Sequence, residues 1–355
     1  NGTVNVSGAD ADDNVTLDTV ASGYTTISAT GLAGDFTIGL AARPSTAMTI
    51  TGGDGSDSIA MENASDVLDG GTKSGTTDTL VIGGTYSSGG AIADLSVSAG
   101  SDVLTNLNGA ANTVVQKNFE SVDFSAATFS AAGVTITGST GANTIKGANA
   151  IDNLNPGEGI DFVYPEAGAD VITLTETTQA VDTIVLSNTA NIKSTADTIT
   201  GYVNGDAIQI QATALGQFGS LIDADGDAVT GAHANLVTTY NAAASGNAVE
   251  AGAIVHNFNR DTSDLTLGFA NFAALVTDLN TGEWEDADSD DYADNDELVS
   301  VWYNSADSMF EVGIITIATD GLDGGGETFE SLLRIPNVSG GITQLQIASS
   351  ITFIA

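Results

Sequence analysis

Carboxylates and glycines recur every nine residues in this chain, and that pattern is chemistry for holding a cation. From Gly138 to Thr173 four units run without a gap. They read Gly-Ser-Thr-Gly-Ala-Asn-Thr-Ile-Lys, Gly-Ala-Asn-Ala-Ile-Asp-Asn-Leu-Asn, Pro-Gly-Glu-Gly-Ile-Asp-Phe-Val-Tyr and Pro-Glu-Ala-Gly-Ala-Asp-Val-Ile-Thr. The sixth place holds Asn143, Asp152, Asp161 and Asp170, and the eighth holds Ile145, Leu154, Val163 and Ile172. An oxygen ligand at six with an aliphatic at eight fits a parallel β-roll that binds calcium. Calcium takes roughly 6–8 hard oxygen ligands. Glycine in the turns lets backbone carbonyls converge with the sixth-place carboxylate.

Short strands must position these groups. Each nonad supplies a turn and a strand, and two nonads close one coil, so residues two units apart stack on one edge. The rule pairs Asn143 with Asp161 and Asp152 with Asp170. An earlier block covers roughly residues 43–80. Its unit Gly52-Gly53-Asp54-Gly55-Ser56-Asp57-Ser58-Ile59-Ala60 fits the calcium nonad at every defined place. Asp66 follows in phase, on the opposite edge from Asp57. Asp78 comes 21 residues after Asp57, so its loop must bulge if the two share an ion. A similar longer step separates Asp170 from Asp182. For Asp102, Asp182, Asp197 and Asp206, a ligand and a plain polar turn remain equal readings.

Two acidic loops lie further on. Asp286, Asp288, Asp290, Asp294 and Glu297 occupy the first, third, fifth, ninth and twelfth places of an EF-hand-type calcium loop, with Asp291 where the sharp turn wants glycine. A solvated acidic loop is the rival reading. Asp223, Asp225 and Asp227 form a shorter candidate without a twelfth-place carboxylate.

The expected fold class is mainly β, with parallel β-roll or β-solenoid repeats and a small C-terminal α+β or β-rich domain. Residues 1–42 read as a β-rich segment of short strands such as Val15-Thr16-Leu17 and Phe36-Thr37-Ile38. Residues 43–210 read as the roll with degenerate insertions. Residues 211–355 read as the C-terminal β-rich domain, with one helix and the acidic loop. Within it, Phe269 to Leu279 has helical apolar spacing. Leu298–Tyr303 and Phe310–Ile317 read as strands, Thr328–Ile335 is ambiguous, and Ile342–Ala355 reads as a final apolar strand.

The chain has 355 residues and a formal net charge of −39, from 46 acidic residues against 7 Lys and Arg. It is nevertheless 42% hydrophobic, which separates it from disordered acidic chains. Such a charge repels itself unless counter-ions bind. Nucleic acid is excluded as a partner by the lack of basic patches. No apolar run reaches membrane-spanning length, so no insertion is expected. The chain has no cysteine, which removes disulfides and thiolate zinc sites. It opens on Asn1 with no cleavable leader, which points to a start set by processing or truncation. The two histidines, His233 and His256, belong to no zinc-protease helix. No nucleophile elbow, Walker loop or dinucleotide fingerprint is present, so no enzyme is expected. Trp284 and Trp302 read as core anchors.

The nonads at 52–60 and 138–173 resemble the repeats-in-toxin (RTX) family of calcium-binding proteins. The stretch Asn118-Phe119-Glu120-Ser121-Val122-Asp123-Phe124-Ser125 is similar to a phrase of RTX-type bacterial surface-layer proteins and adhesins. The segment Asp320-Gly321-Leu322-Asp323-Gly324-Gly325-Gly326-Glu327-Thr328-Phe329 resembles their C-terminal ends. The resemblance covers about a third of the chain; Ala150, Pro165, Glu166 and Ala167 depart from its glycine pattern. It implies Ca2+ as cofactor, type I secretion through an uncleaved C-terminal signal, and a place on the extracellular cell surface. The implied function is a self-assembling surface-layer subunit, with a second copy of itself as partner and cell-surface polysaccharide as a further one. An RTX adhesin or filament component, and the C-terminal part of a secreted hydrolase, are the alternatives.

Overall fold

The computed structural model describes residues 2–42, 46–71, 77–187, 196–211, 237–241, 255–259, 269–279, 297–316, 328–337 and 343–354. The fold is mainly β and divides into two compact units, Asn1–Asp182 and Thr183–Ala355.

The first unit opens with β1 (Gly2–Gly8), β2 (Val15–Leu17), β3 (Tyr24–Leu32), β4 (Phe36–Ile38), β5 (Thr49–Thr51), β6 (Ser58–Met61), β7 (Val67–Asp69) and β8 (Thr79–Ile82). Odd strands join one parallel sheet and even strands another. The chain therefore crosses from face to face at every turn, which is solenoid winding. The strands of residues 1–42 enter the same two sheets as the repeat block.

An excursion follows through β9 (Gly84–Tyr86), β10 (Ala91–Asp94), β11 (Leu104–Leu107), β12 (Ala110–Ala111) and β13 (Gln116–Lys117). In it, β10, β11 and β12 pair antiparallel. Winding resumes with β14 (Ser121–Asp123) beside β8, β15 (Ala127–Phe129) beside β9, and β16 (Val134–Thr137) beside β10. The four nonads then form β17 (Thr144–Lys146), β18 (Asn153–Asn155), β19 (Phe162–Tyr164) and β20 (Val171–Thr173). Pairing runs β14-β17-β19 on one face and β16-β18-β20 on the other. Eighth-place Ile145, Leu154, Val163 and Ile172 are at most 1% exposed, so the aliphatic ladder fills the space between the faces.

The even-strand face carries a longer period that the nonads hide. Asn14-Val15-Thr16-Leu17, Asp35-Phe36-Thr37-Ile38, Ser56-Asp57-Ser58-Ile59 and Thr77-Asp78-Thr79-Leu80 repeat at 21 residues. Register follows that period, pairing Thr16 with Thr37, Thr37 with Ser58, and Ser58 with Thr79. The coil is thus 21 residues long on this edge through Asp78 and 18 between Asn143 and Asp161.

The second unit contains β21 (Thr183–Leu186), β22 (Asp197–Thr200), β23 (Ala207–Gln211), β24 (Val237–Asn241), β25 (Val255–Asn259), α1 (Phe272–Leu279), β26 (Glu297–Asn304), β27 (Met309–Thr316), β28 (Thr328–Pro336), α2 (Gln344–Ser350) and β29 (Ile351–Ile354). β21, β23 and β29 pair in parallel, while β26, β27 and β28 form an antiparallel meander. α1 lies within the expected helix and buries Leu275. Trp302 is a core anchor, meeting Phe329 edge-on with ring centroids 5.5 Å apart.

The expected C-terminal strand is corrected. Residues 344–350 are helical, and only Ile351–Ile354 is extended. Thr343 Oγ1 accepts the Gln346 N–H at 3.2 Å, and Gln346 Oε1 accepts the Thr343 N–H at 2.7 Å. This capping box starts a helix that apolar alternation alone does not reveal.

Candidate metal centre

The sixth-place side chains of the first unit point inward, and each reaches back one coil. Asp57 Oδ1 accepts the Phe36 N–H at 2.8 Å, and Asp78 Oδ1 accepts the Asp57 N–H at 2.8 Å. Glu120 Oε2 then accepts the Asp78 N–H at 2.9 Å. Along the same edge, Asp161 Oδ1 accepts from Asn143 N–H at 2.7 Å, and Asp182 Oδ1 from Asp161 N–H at 3.0 Å. The opposite edge repeats the device. Asp66 Oδ1 accepts the Met48 N–H, Asp152 Oδ1 the Val134 N–H, and Asp170 Oδ1 the Asp152 N–H. Every one of these donors sits where the chain leaves a turn for a strand, so the carboxylate caps an amide that no strand partner reaches.

The second oxygens turn into their own loops. Asp57 Oδ2 accepts the Gly53 N–H, and Asp152 Oδ2 accepts the Ala148 N–H at 2.6 Å. Asp66 Oδ2 receives both the Glu62 and Asn63 N–H groups. Asn143 plays the same part with an amide: its Oδ1 accepts the Ser139 N–H at 2.7 Å. Gly157 shows why the turns need glycine. Its φ is +95°, and a Cβ there would strike the Ser139 carbonyl oxygen.

The pairings Asn143 with Asp161, Asp152 with Asp170, and Asp57 with Asp78 are therefore brought together, with Asp66 on the other edge. The sequence reading missed that these carboxylates latch coil to coil. It also missed Glu120, which fills the column where the excursion interrupts the repeats. Phe119-Glu120-Ser121-Val122 stands 42 residues, two 21-residue periods, after Thr77-Asp78-Thr79-Leu80, and that spacing carried the signal. Asp102 caps too, accepting the Gln116 N–H at 3.0 Å. Asp223, Asp225, Asp227, Asp286, Asp288, Asp290 and Asp294 lie outside the described residues. Glu297 begins β26, but its side chain is not among those described.

Burial makes six of these acids reluctant to ionise. It pushes Asp78 up to about 8, helped by the like charges of Asp57, Glu120 and Asp69. Asp152 rises to about 7 through burial, with Glu166 adding to it. Asp161 also rises to about 7, through burial and the neighbouring charges of Asp182 and Glu176. Asp57, Asp102 and Glu120 shift upward for the same first reason. A buried carboxylate with no counter-charge is the environment that a cation or a proton stabilises.

One locus stands apart. Asp161 is fully buried, and its Oδ2 has no hydrogen-bond partner. Glu176 folds into the same turn, its Oε1 accepting the Gly159 N–H at 3.0 Å and its Oε2 the Ala180 N–H at 2.6 Å. Hard carboxylate oxygens with spare lone pairs are the donor set calcium takes. Among the described residues no group of three or more His, Asp or Glu side chains is arranged to hold a metal ion. The nonad places one carboxylate per coil on each edge, so the remaining ligands would be turn carbonyls. No protein-family model matches the chain, and no curated protein matches it in sequence.

Proposed function

We propose that this chain is a calcium-dependent structural protein of the bacterial cell surface, secreted and self-assembling, in which Ca2+ rigidifies the roll and bridges neighbouring copies. One observation carries the reading: buried carboxylates stacked coil upon coil along both edges of the first unit, with Asp78, Asp152 and Asp161 raised in pKa and a spare buried oxygen at Asp161. Asp161, with Asp182 and Glu176 beside it, would hold the ion on one edge; Asp152 and Asp170 would do so on the other. The ion would supply the charge that burial withholds. The surplus of 46 acidic over 7 basic residues supports counter-ion dependence of the whole. Among the described residues no helix is long and apolar enough to cross a membrane.

Chelation is the test. Circular dichroism and particle size are followed as calcium is removed with EDTA and restored. Loss of β signal and dispersal of assemblies, both reversible, are the expected outcome. Indifference of both readouts to EDTA sinks the proposal. Electron microscopy of the calcium-loaded protein separates sheets, as expected for a lattice, from the fibres or monomers of an adhesin or filament component.

A further inference from the structure

Four of the sixth-place side chains share a habit that Asp161 breaks. Asp57, Asp66, Asn143 and Asp152 each accept an N–H from the second place of their own nonad, donated by Gly53, Glu62, Ser139 and Ala148. At Asp161 the second-place donor is Gly157, and its N–H goes instead to Asn155 Oδ1 at 3.1 Å. Asp161 Oδ2 is left without a hydrogen bond, although the residue is fully buried. Asn155 itself is exposed, at the end of β18.

A second departure lies in the next turn of this edge. Asp170 and Asp182 are 12 residues apart, where a nonad allows nine, and the longer turn carries Glu176. Two glutamates clasp that turn to the one before it. Glu176 takes the Gly159 and Ala180 N–H groups. Glu158 answers from the opposite side: its Oε1 accepts the Thr177 N–H at 2.8 Å and the Thr177 hydroxyl at 2.6 Å, and its Oε2 accepts the Thr178 N–H at 3.0 Å. The clasp keeps the Glu176 carboxylate near enough for its charge to act on Asp161. A groove of about 500 Å³, lined by Thr140, Glu158, Gly159 and residues 177–180, runs along the clasp and gives a hydrated ion its approach.

At Asp57, Asp66 and Asp152 both oxygens already hold backbone amides, so an ion must compete with those bonds. At Asp161 Oδ2 it competes with none, and a buried oxygen without a donor gains most from a cation. We propose that Asn155 and Glu158 are positioning residues that make the Asp161–Glu176 turn the tightest and slowest-exchanging calcium site of the chain. Asn155 acts by drawing the Gly157 N–H away from Asp161. Glu158 acts by holding the strap that carries Glu176. The inference rests on the calcium reading above and adds which site fills first and what sets it apart.

Calcium itself is the probe. The whole calcium-free chain is titrated by calorimetry, and the loaded chain is mixed with excess chromophoric chelator to time the release of each ion. One ion per chain should bind about tenfold or more tighter than the rest and leave last. Asn155→Ala lets the Gly157 N–H turn to Asp161 Oδ2, as Gly53 and Ala148 do in their own units. It should weaken that ion by about tenfold and speed its release, because a charge-assisted hydrogen bond now competes. Its unfolding midpoint in EDTA should not fall, since the amide has only changed acceptor. Asn155→Asp, which keeps the acceptor, should keep the slow ion. Glu158→Ala frees the strap and should lose the slow phase while the other ions behave as before. Asp18→Asn, which removes an exposed charge in an earlier turn, should change nothing. Circular dichroism confirms that each variant is folded. A fall in the EDTA midpoint of Asn155→Ala makes that residue merely structural and overturns the proposal. Ions that bind and leave as one class, or folded Asn155→Ala and Glu158→Ala chains that keep the slow ion, overturn it too and leave the calcium reading standing. A chain that takes up no calcium overturns both.

Discussion

Asp152 holds two backbone N–H groups, those of Val134 and Ala148, with its two oxygens. Asp152→Ala strands both donors in a dry turn and should lower stability by about 3 kcal/mol in urea unfolding, calcium or no calcium. Asp161 differs, because only Oδ1 is engaged. Asp161→Asn keeps that acceptor and removes a buried charge. In EDTA at pH 8 it should therefore raise the unfolding midpoint, while weakening calcium binding by calorimetry. A lowered midpoint in EDTA would show that the charge itself stabilises the coil. The pH dependence follows from the same groups. Asp78, Asp152 and Asp161 have an ordinary value of 3.8 when unfolded and about 7 to 8 when folded. Between these values the folded state binds more protons than the unfolded one, so stability falls as pH rises. The metal-free protein should unfold at lower urea at pH 8.5 than at pH 5. Calcium must displace those protons, so its affinity should climb over the same window.

The turn is the element that decides whether a coil closes. Gly157 and Gly100 both have positive φ, +95° and +83°, but only Gly157 has a backbone oxygen in the way of a Cβ. Gly100→Ala should cost about 1 kcal/mol of backbone strain, and Gly157→Ala clearly more, as read from paired melting curves. Equal losses would mean that the stacked turns yield. The short strands and the aliphatic ladder were legible because position eight is apolar in every nonad and position six is polar. The 21-residue coil was hidden, because Asn14, Asp35, Ser56 and Thr77 share no residue type. They share only the ability to accept or pass on a hydrogen bond: Asn14 Oδ1 takes the Asp35 N–H, Asp35 Oδ1 the Ser56 N–H, and Ser56 Oγ the Thr77 N–H. The inward aim of the sixth-place carboxylates was hidden too, since composition places acids at the surface. At the C-terminus, Thr343 and Gln346 outvoted the alternation around them.

Over the whole molecule, acidic charge has almost no answer within the chain. The described basic side chains are already committed: Lys117 pairs with Asp69 at 3.1 Å, Lys146 with Asp123 at 3.0 Å, and Arg334 with Asp307 and Glu311. Partly exposed pairs of this kind contribute little each, and they leave no described cation for a neighbouring copy. Association of two such surfaces must therefore recruit counter-ions. Monovalent salt only screens the repulsion, over roughly 8–10 Å at moderate ionic strength. Calcium can be held by oxygens from two copies at once, whereas magnesium demands strict octahedral geometry and keeps its waters. Small-angle scattering and light scattering of the calcium-free chain should show compaction with sodium chloride but no assembly. Calcium at matched ionic strength should give both compaction and assembly, and magnesium should give compaction with far less assembly. If sodium chloride alone produces the assemblies, charge screening is the whole effect and no ion is shared between copies. If magnesium equals calcium, the carboxylate columns are a diffuse counter-ion atmosphere and not a set of formed sites.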